Sequence, residues 1–535
     1  MPRSKQAVIV LVALLSLPFE PVSLGVEQYK KIPRESIARI VDGQPDKAIR
    51  TSEDYLKEHP TDLESLYVLA VAHTHKGEIE KALSYVTKAI EGGLPFERFQ
   101  AGPRDLLKPL TETEAFQTLA KKHGKSLLHG PLISATDTAV RCWVRTAQES
   151  KVTLSVWDEI VGGARVLASD NITASRTSEA RDFTTVLSLD GLQPSTVYHY
   201  EVAGQKGRFR TLPKQGKPGQ FTIGFGGGAG FTPQYERMWN TIRSRDLTAF
   251  FFLGDNVYID NPTRQAVQKY CYYRRQSRPE FRQFAAGTPI FAIWDDHDFT
   301  IDDGWGGPDV HDPAWKVPVW RTFRDNWANP YYGGGEKQPG CWFDFAIADV
   351  DFFMLDGRYY REKGRRQGIK VERPSMLGKA QKRWLFDKLT ASKATFKVLA
   401  SPVPWAPGAK PGRGGMDTWE GFHEERDEIF AFLARHKIEG VLLISADRHR
   451  SDAWKIERAE GYPLYEFESS RLTNLHTHPI MPGSLFGYNK TCSFGHLSFN
   501  TAIPDPTVTY RVITIDNEVM HTLTLSRSQL IHAEK

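Results

Sequence analysis

Three short apolar runs, each followed at once by carboxylate, imidazole or phenol side chains, constrain the fold of this chain most. The runs are Ala249–Leu253, Ile290–Ile293 and residues 440–444. Their length and composition predict buried β-strands. Polar groups directly after buried strands gather at one edge of an open α/β sheet, because the loops that leave the strands converge there. The runs therefore predict an α/β domain with a polar site at its strand ends.

The polar groups after these strands are of the types that bind metal ions. They are Asp255 and Tyr258, then Asp296, His297 and Asp302, then Asp447 and His449. Oxygen ligands with a few imidazoles suit hard or borderline cations, and crowded carboxylates need cations because like charges raise each other's pKa. Singly, each motif also fits a turn-capping Asp, an exposed acidic loop or an ion-paired Asp. Together they predict a metal-dependent hydrolase.

Length and charge bound the number of domains and the kind of partner. With 535 residues, the chain is expected to form roughly two to four domains. Its 40% hydrophobic and 25% charged content are those of a globular protein. A net charge of +5 is a small excess for this length and does not favour nucleic acid as a partner.

Residues 1–25 predict a secretory signal peptide. They combine basic Arg3 and Lys5, an apolar run over residues 7–17, and small residues at Ser23 and Gly25. The run is short for a membrane span, although a retained anchor is the alternative. We therefore expect an exported protein (periplasmic, at the cell surface or secreted), with no transmembrane helix in the mature chain. Its four cysteines lack C-x-x-C spacing, which leaves disulfides and buried free thiols both open.

Residues 27–110 are predicted to form tetratricopeptide-like helical repeats. Gly77 lies 34 residues after Gly43, and Ala82 lies 34 residues after Ala48; this is the period of that repeat. About two repeats are present, fewer than the three that a solenoid usually needs. The segment is therefore expected to pack on the rest of the chain or to bind a protein partner.

Two further domains are predicted after the repeats. Residues 127–212 contain β-like alternation, and the segment around Tyr198 resembles the tyrosine corner of immunoglobulin-like domains, which indicates a fibronectin-III-like β-sandwich. Residues 220–526 alternate strand-like and helical runs, which predicts an α/β layered domain. Helices are predicted there over residues 232–244, 379–390 and 424–435, and a terminal hairpin over residues 507–525.

The α/β domain resembles the alkaline phosphatase D (PhoD-like) family of metallophosphatases. Beyond the strand-end motifs, Met354-Leu355-Asp356-Gly357-Arg358-Tyr359 looks like the family's aspartate–arginine strand end. Met376-Leu377-Gly378 with Gln381, Trp384 and Leu385 looks like its helix motif, and residues 416–422 look like its D-x-W-D-G-Y loop. The Gly-Asp-x-x-Tyr element is also similar to that of purple acid phosphatases. The resemblance covers about residues 127–525 and implies a metallophosphatase-like α/β fold after a β-sandwich.

The resemblance also implies roles for the matching residues. Six of them would hold two or more metal ions, iron and calcium by resemblance: Asp255, Tyr258, Asp296, Asp302, Asp447 and His449. Within this set Asp255 would bridge two ions and Tyr258 would bind the iron. His297 is then the candidate proton donor to the leaving oxygen, and Arg358 the candidate clamp for the phosphate.

Two positions depart from the family's pattern. Gly228 stands where the family usually has a cysteine whose thiolate binds iron, and glycine has no side chain for that role. Asp302 stands where asparagine is usual, which adds a charge but keeps an oxygen ligand. The missing sulfur ligand leaves three outcomes open: a different metal, a water in the vacant place, or lost activity.

The function predicted from the sequence is hydrolysis of a small phosphate ester with the help of metal ions. A phosphomonoesterase and a phosphodiesterase both fit, because the same metals serve both. The alternative is a degenerate phosphatase fold that acts as a binding module, with a protein partner on the helical repeats at residues 27–110.

Overall fold

The computed structural model describes residues 24–158, 171–363, 365–366, 369–410 and 412–533. The predicted signal peptide, residues 1–25, lies outside this part of the chain except for its last two residues, which begin the first helix. Within the described ranges, no helix is both long and apolar enough to cross a bilayer. All four cysteines fall inside these ranges, where they are buried and form no disulfide.

Paired helices form the N-terminal part of the structure. They are α1 (Leu24–Val41), α2 (Pro45–Glu58), α3 (Leu63–His75), α4 (Ile79–Glu91), α5 (Glu97–Ala101), α6 (Arg104–Thr111) and α7 (Glu114–His123). Gly43 after α1 and Gly77 after α3 have φ values of +71° and +77°, and each N–H bonds to the carbonyl three residues earlier. The same turn thus recurs at the predicted interval, and the helices continue beyond residue 110. Assignment to the tetratricopeptide class stays a prediction.

Two antiparallel sheets follow the helices. Their strands are β1 (Leu127–Ala135), β2 (Ala139–Thr146), β3 (Lys151–Asp158), β4 (Ile172–Arg176), β5 (Thr184–Asp190), β6 (Val197–Val202) and β7 (Gln205–Arg210). One sheet has the order β1-β2-β5 and the other β4-β3-β6-β7, and both bury side chains in one core, such as Val144 and Leu154. The Tyr198 hydroxyl accepts a hydrogen bond from the Gln193 N–H at 2.9 Å, as in a tyrosine corner. The fibronectin-III-like assignment stays a prediction.

The remaining described chain alternates strands and helices, as predicted. The helices are α8 (Met238–Arg243), α9 (Gln265–Gln276), α10 (Pro279–Ala285), α11 (Asp296–Phe299), α12 (Lys316–Arg324), α13 (Gly378–Ala391) and α14 (His423–Arg435). The helix predicted over residues 232–244 is wrong in extent, because Pro233–Tyr235 forms a separate 3₁₀ turn and α8 begins only at Met238. The other two predicted helices correspond to α13 and α14.

Two mixed sheets build the core of this domain. The strands of the domain are β8 (Gln220–Gly226), β9 (Ala249–Leu253), β10 (Ile290–Ile293), β11 (Phe343–Ile347), β12 (Val350–Met354), β13 (Arg365–Arg366), β14 (Ile369–Lys370), β15 (Phe396–Ala400), β16 (Val441–Ser445), β17 (Ser451–Ile456), β18 (Leu464–Ser469), β19 (Phe486–Tyr488), β20 (Ser493–Asn500), β21 (Thr507–Thr514) and β22 (Val519–Ser526). One sheet has the order β10-β9-β8-β20-β21-β22, and the other β11-β12-β15-β16-β18-β17-β19. Strands β13 and β14 pair with each other in a separate two-stranded sheet. The predicted terminal hairpin corresponds to β21 and β22.

Phenylalanine rings fill the space between these two sheets. Phe251 and Phe291 of the first sheet pack on Phe345 and Phe352 of the second, with centroid distances from 3.9 Å for Phe291–Phe345 to 5.4 Å for Phe251–Phe345. Strands β8, β9 and β10 run parallel to one another, as do β12, β15, β16 and β18. The packed sheets therefore carry the loops after β9, β10 and β16 toward a common edge.

A buried ionic cluster joins the N-terminal helices to the α/β domain. The Glu64 carboxylate on α3 accepts hydrogen bonds from the Arg98 guanidinium at 2.9 and 3.0 Å, and one from the Tyr270 hydroxyl on α9 at 2.6 Å. The Arg98 guanidinium also lies over the ring of Tyr67, 4.6 Å from its centroid. The helical segment is thus packed on the rest of the chain, which was one of its two predicted outcomes.

Replacing Arg98 by leucine should destabilise the protein strongly, because the buried Glu64 carboxylate would lose its cation. Breaking a buried ion pair costs about 3–5 kcal/mol, so we expect a lower urea midpoint and a lower melting temperature. Lys57→Ala is the control, because Lys57 pairs with Asp54 in an exposed place and its loss should change little. An Arg98→Leu midpoint equal to that of the native chain would contradict the importance of this cluster.

Candidate active site and metal centre

Backbone strain marks the loops that leave β9 and β16. Gly254 follows β9 with a φ of +104°, and a Cβ at this position would lie 2.5 Å from that of Asp295. Non-glycine residues with positive φ follow in both loops, with values between +48° and +76°: Asp255, Tyr258, Asp447 and His449. Such conformations cost energy and cluster at functional sites. All four had been predicted as metal ligands from the sequence.

The Asp298 carboxylate fastens the first of these loops. It accepts hydrogen bonds from the backbone N–H groups of Asn256 at 2.8 Å and Val257 at 3.0 Å. Burial raises the pKa of Asp298 to about 6, although these N–H groups favour its charged form. Asp298 therefore positions the loop that carries Asp255 and Tyr258.

The predicted metal ligands of the three motifs come together. The Tyr258 hydroxyl lies 3.0 Å from Nε2 of His449, and that nitrogen lies 3.9 Å from Oδ2 of Asp255. Asp255, Asp296 and His297 each offer a ligand atom within 4.8 Å of the others. Residues about 200 positions apart in the chain thus share one pocket.

The carboxylates of this pocket fit a cation. Oδ1 of Asp255 and Oδ1 of Asp296 are buried and have no hydrogen-bond partner among the described residues. Burial, together with the nearby Asp296 and Asp295 carboxylates, raises the pKa of Asp255 well above its usual value. A bound metal ion would both fill the empty lone pairs and favour the charged carboxylates.

His297 lies in a chain of charged groups that begins on helix α1. Its Nδ1 lies 2.5 Å from the Asp260 carboxylate, whose other oxygen pairs with the Arg34 guanidinium. Although burial opposes it, the hydrogen bond from His297 and the charge of Arg34 lower the pKa of Asp260 to about 2. The carboxylate is therefore an acceptor, and Nδ1 of His297 is the donor.

The same surroundings keep His297 protonated. Burial disfavours its charge, but the Asp296 and Asp255 carboxylates and the bond to Asp260 raise the pKa of His297 well above its usual value. Its Nε2 lies 3.7 Å from Asp302, a residue at the rim of the cavity whose side chain is 86% exposed. The structure thus places His297 at the cavity, and places Asp302 at the rim rather than among the buried carboxylates.

Arg358, the predicted phosphate clamp, is fully buried beneath the cavity. Its guanidinium donates to both oxygens of Asp417 at 2.7 and 2.9 Å and to the Asp295 carboxylate at 2.5 Å. It also lies 3.6 Å from Asp296. Arg358 therefore neutralises three carboxylates, and this geometry disfavours the clamp role, which stays a prediction.

Sequence analysis missed two histidines of the same cavity. His476 and His478 lie on the loop between β18 and β19, with ring centroids 5.1 and 5.6 Å from that of His449. Burial and the charge of Arg448 lower the pKa of His478 to about 3, so its imidazole is neutral. The signal in the sequence is the His-Thr-His spacing, but it begins seven residues after β18 ends and therefore does not follow a strand directly.

The loop between β18 and β19 also explains the glycine at position 228. Gly228 has a φ of +67°, and a Cβ there would lie 2.8 Å from the backbone nitrogen of Arg471. The N–H of Leu472 donates to the carbonyl of Gly227 at 3.0 Å. The backbone of the loop therefore lies in the space that the Cβ of a cysteine at residue 228 would need.

A cavity of about 650 Å³ opens at this site. The predicted ligands other than Asp255, together with His297 and the two additional histidines, line it, and four cationic side chains line it as well: Lys31, Arg34, Lys410 and Arg448. Lys31 and Arg34 come from α1, so the helical segment forms part of the cavity wall. A cavity with buried carboxylates at its base and cations at its sides is suited to bind metal ions and an anionic substrate.

The fold is shared with solved phosphatase structures. A structure of PhoD superposes with a TM-score of 0.60 at 17% identity, covering 75% of this chain and 91% of that one. Purple acid phosphatase PPD1 from yellow lupin (Lupinus luteus) seeds gives a TM-score of 0.51 at 12% identity, covering 75% of each chain. At these identities the likeness shows the fold alone, which is that of a metallophosphatase-like α/β domain.

The family follows from the sequence match. A model of the PhoD-like phosphatase family matches residues 223–511, more than half of the chain, so the protein belongs to this family. Alkaline phosphatase D of Bacillus subtilis (strain 168) is 24% identical over 309 residues, which are 49% of this chain and 52% of that protein. The chain thus matches about half the length of this relative. The predicted family is confirmed, and membership supports hydrolysis of phosphoric esters.

Cation binding should stabilise the protein more at higher pH. Burial and neighbouring charges raise the pKa of Asp255 and Asp295, so without metal their contribution to stability is lost as the pH rises through these raised values. A metal ion removes this penalty and competes with protons for Asp255. We expect the gain in melting temperature on adding Mn²⁺ or Ca²⁺ to chelator-treated protein to grow from about pH 5.5 to about pH 8.

Matched variants check this expectation. Asp255→Asn should lose most of the gain, whereas Asp387→Asn, at an exposed carboxylate on α13, should keep it. A gain that stays constant over this pH range, or that survives in Asp255→Asn, would contradict cation binding by the buried carboxylates.

Proposed function

We propose that the protein is a metal-dependent phosphoric ester hydrolase whose active site is the cavity after β9, β10 and β16. The observation that carries the proposal is the convergence of Asp255, Asp296, Asp447 and His449 in a chain of the PhoD-like family. Metal ions held by these residues would polarise the phosphoryl group and lower the pKa of water. The carboxylate side suits a hard cation such as calcium, and Gly228 supplies no sulfur ligand for iron.

His297 is proposed as the proton donor to the leaving oxygen. The bond to Asp260, which is not a proposed metal ligand, favours the protonated form of His297, and this Nδ1–H bond directs Nε2 toward the rim of the cavity. General acids of this kind act when the leaving oxygen needs a proton to depart. Arg34 is proposed to position His297 through Asp260.

Lys410 and Arg448 are proposed to contact the phosphate of the substrate in place of Arg358. Both side chains line the cavity. Lys410 pairs with Asp303 at 3.1 Å, and Arg448 pairs with Asp447 at 3.4 Å. These partners hold the two cationic groups at the cavity wall. Arg358 would act indirectly, by keeping the neighbouring aspartates charged. A small phosphate monoester or diester fits the size of the cavity.

Asp255→Asn should abolish most turnover, because it removes the carboxylate proposed to bridge the metal ions. We expect kcat/KM to fall by about a hundredfold or more for both an aryl phosphate monoester and an aryl phosphodiester, with Asp387→Asn unchanged. The ratio of the two native activities decides between phosphomonoesterase and phosphodiesterase. Absence of turnover of either ester by the metal-loaded native protein would overturn the proposal.

Arg34→Ala should slow esters with poor leaving groups more than esters with good ones. An alkoxide needs a proton from His297, whereas a nitrophenolate departs without one. We expect Arg34→Ala and His297→Ala to lower kcat about tenfold or more for an alkyl ester and less for a nitrophenyl ester, with partial recovery in Arg34→Lys. Arg39→Ala on the same helix is the control, because Arg39 bonds to Thr51 instead. Equal slowing of all esters would contradict the positioning role.

The alternative function, a binding module built on the helical repeats, has less support. That segment packs on α9 through Glu64 and Arg98 and lines the cavity through Lys31 and Arg34. One face of the segment is therefore already covered by the α/β domain. Export is proposed from residues 1–25 alone.

A further inference from the structure

Three imidazoles meet at one end of the active-site cavity. His449 follows β16, and His476 and His478 come from the loop between β18 and β19. Each offers a nitrogen within 4.8 Å of the other two. The ring centroids of His476 and His478 are 4.5 Å apart, and the planes cross at 89°, so the rings are not stacked on each other. A cation placed among the three rings could thus take one nitrogen from each.

The chain holds this arrangement from both sides. The Thr477 hydroxyl, between the two loop histidines, donates to the carbonyl of His449 at 3.0 Å. The Asn489 side-chain amide donates to the carbonyl of His478 at 3.0 Å. These bonds fix the loop against the residue that it faces, so the three rings are positioned before any ligand arrives.

We propose that His449, His476 and His478 bind a divalent transition metal of the zinc type, as a nitrogen subsite beside the carboxylate subsite of Asp255 and Asp296. Imidazole nitrogens favour zinc and its neighbours among the transition metals, whereas calcium and magnesium prefer oxygen ligands. The nearby Arg448 does not oppose a cation with its full charge, because it pairs with Asp447 at 3.4 Å. The site would therefore hold two chemically different ions side by side, with His449 next to both subsites.

This inference deepens the proposed function. Only the catalytic role of the zinc ion rests on that function; zinc binding itself does not. Zinc binding at the imidazoles requires no hydrolysis, so the two can fail separately. Its readout is the number of imidazoles around the bound metal, which X-ray absorption at the zinc edge reports directly.

The test uses the full chain, stripped with a chelator and loaded with zinc. We expect a zinc coordination shell with three imidazoles and no sulfur. In the double variant His476→Ala/His478→Ala, the imidazole number should drop to one and zinc affinity should fall about tenfold or more, while calcium affinity stays the same. His423→Ala, which removes an exposed histidine on α14, should match the native chain. An unchanged imidazole number and affinity in the double variant would overturn the inference.

Hydrolysis is measured on the same samples to separate the two proposals. Three imidazoles at zinc in a chain that turns over no phosphate ester would refute the proposed function and leave this inference standing. Turnover by a native chain whose zinc ion has a single imidazole ligand would refute this inference and leave the proposed function standing.

A second measurement covers a double variant that does not fold. Native chain is treated with diethyl pyrocarbonate with and without zinc, and modified histidines are located by mass spectrometry. Zinc should protect His476 and His478 and leave His423 reactive. Equal modification of His476 and His478 with and without zinc would also overturn the inference.

Discussion

Repulsion among buried carboxylates is the constraint on which the rest of this structure depends. Five aspartates of the site are buried: Asp255, Asp295, Asp296, Asp298 and Asp417. A sixth, Asp447, is partly exposed, with 13% of its side-chain surface accessible. The chain neutralises one side of this group with the buried Arg358. The other side, where a buried oxygen of Asp255 has no hydrogen-bond partner among the described residues, is left for cations. Bound metal ions would neutralise the carboxylate charge that the cationic side chains of the protein leave uncompensated.

The helical segment takes part in that balance although it lies outside the residues that match the family. Arg34 is 7% exposed, and it reaches the site because α1 is held to the α/β domain elsewhere, through the Glu64–Arg98–Tyr270 cluster and the Arg264–Asp42 pair. The ion pair between Arg34 and Asp260 needs such an anchor, because solvent would screen and weaken it if α1 were mobile. The segment is thus better understood as part of the active-site wall than as an appendage.

Local patterns in the sequence predicted the parts of the molecule that depend on local structure. Buried strands and the residues directly after them are encoded by composition and period, so the sequence predicts that Asp255, Tyr258, Asp447 and His449 lie at one edge of the sheets. Their role as metal ligands stays a prediction. Arg358 and Asp302 were also found, but the direction of their side chains depends on packing against Asp417 and on loop exposure, which no local pattern encodes. Arg34, His476 and His478 were missed because only the tertiary fold brings them to the cavity.

The glycine at position 228 and the histidine loop are one structural change rather than two. A Cβ at residue 228 would meet the backbone nitrogen of Arg471 at 2.8 Å, and backbone cannot move aside as a side chain can. A cysteine there would have to displace the segment that carries His476 and His478. Residue 228 and the loop that carries the two histidines are therefore coupled through the backbone at Arg471.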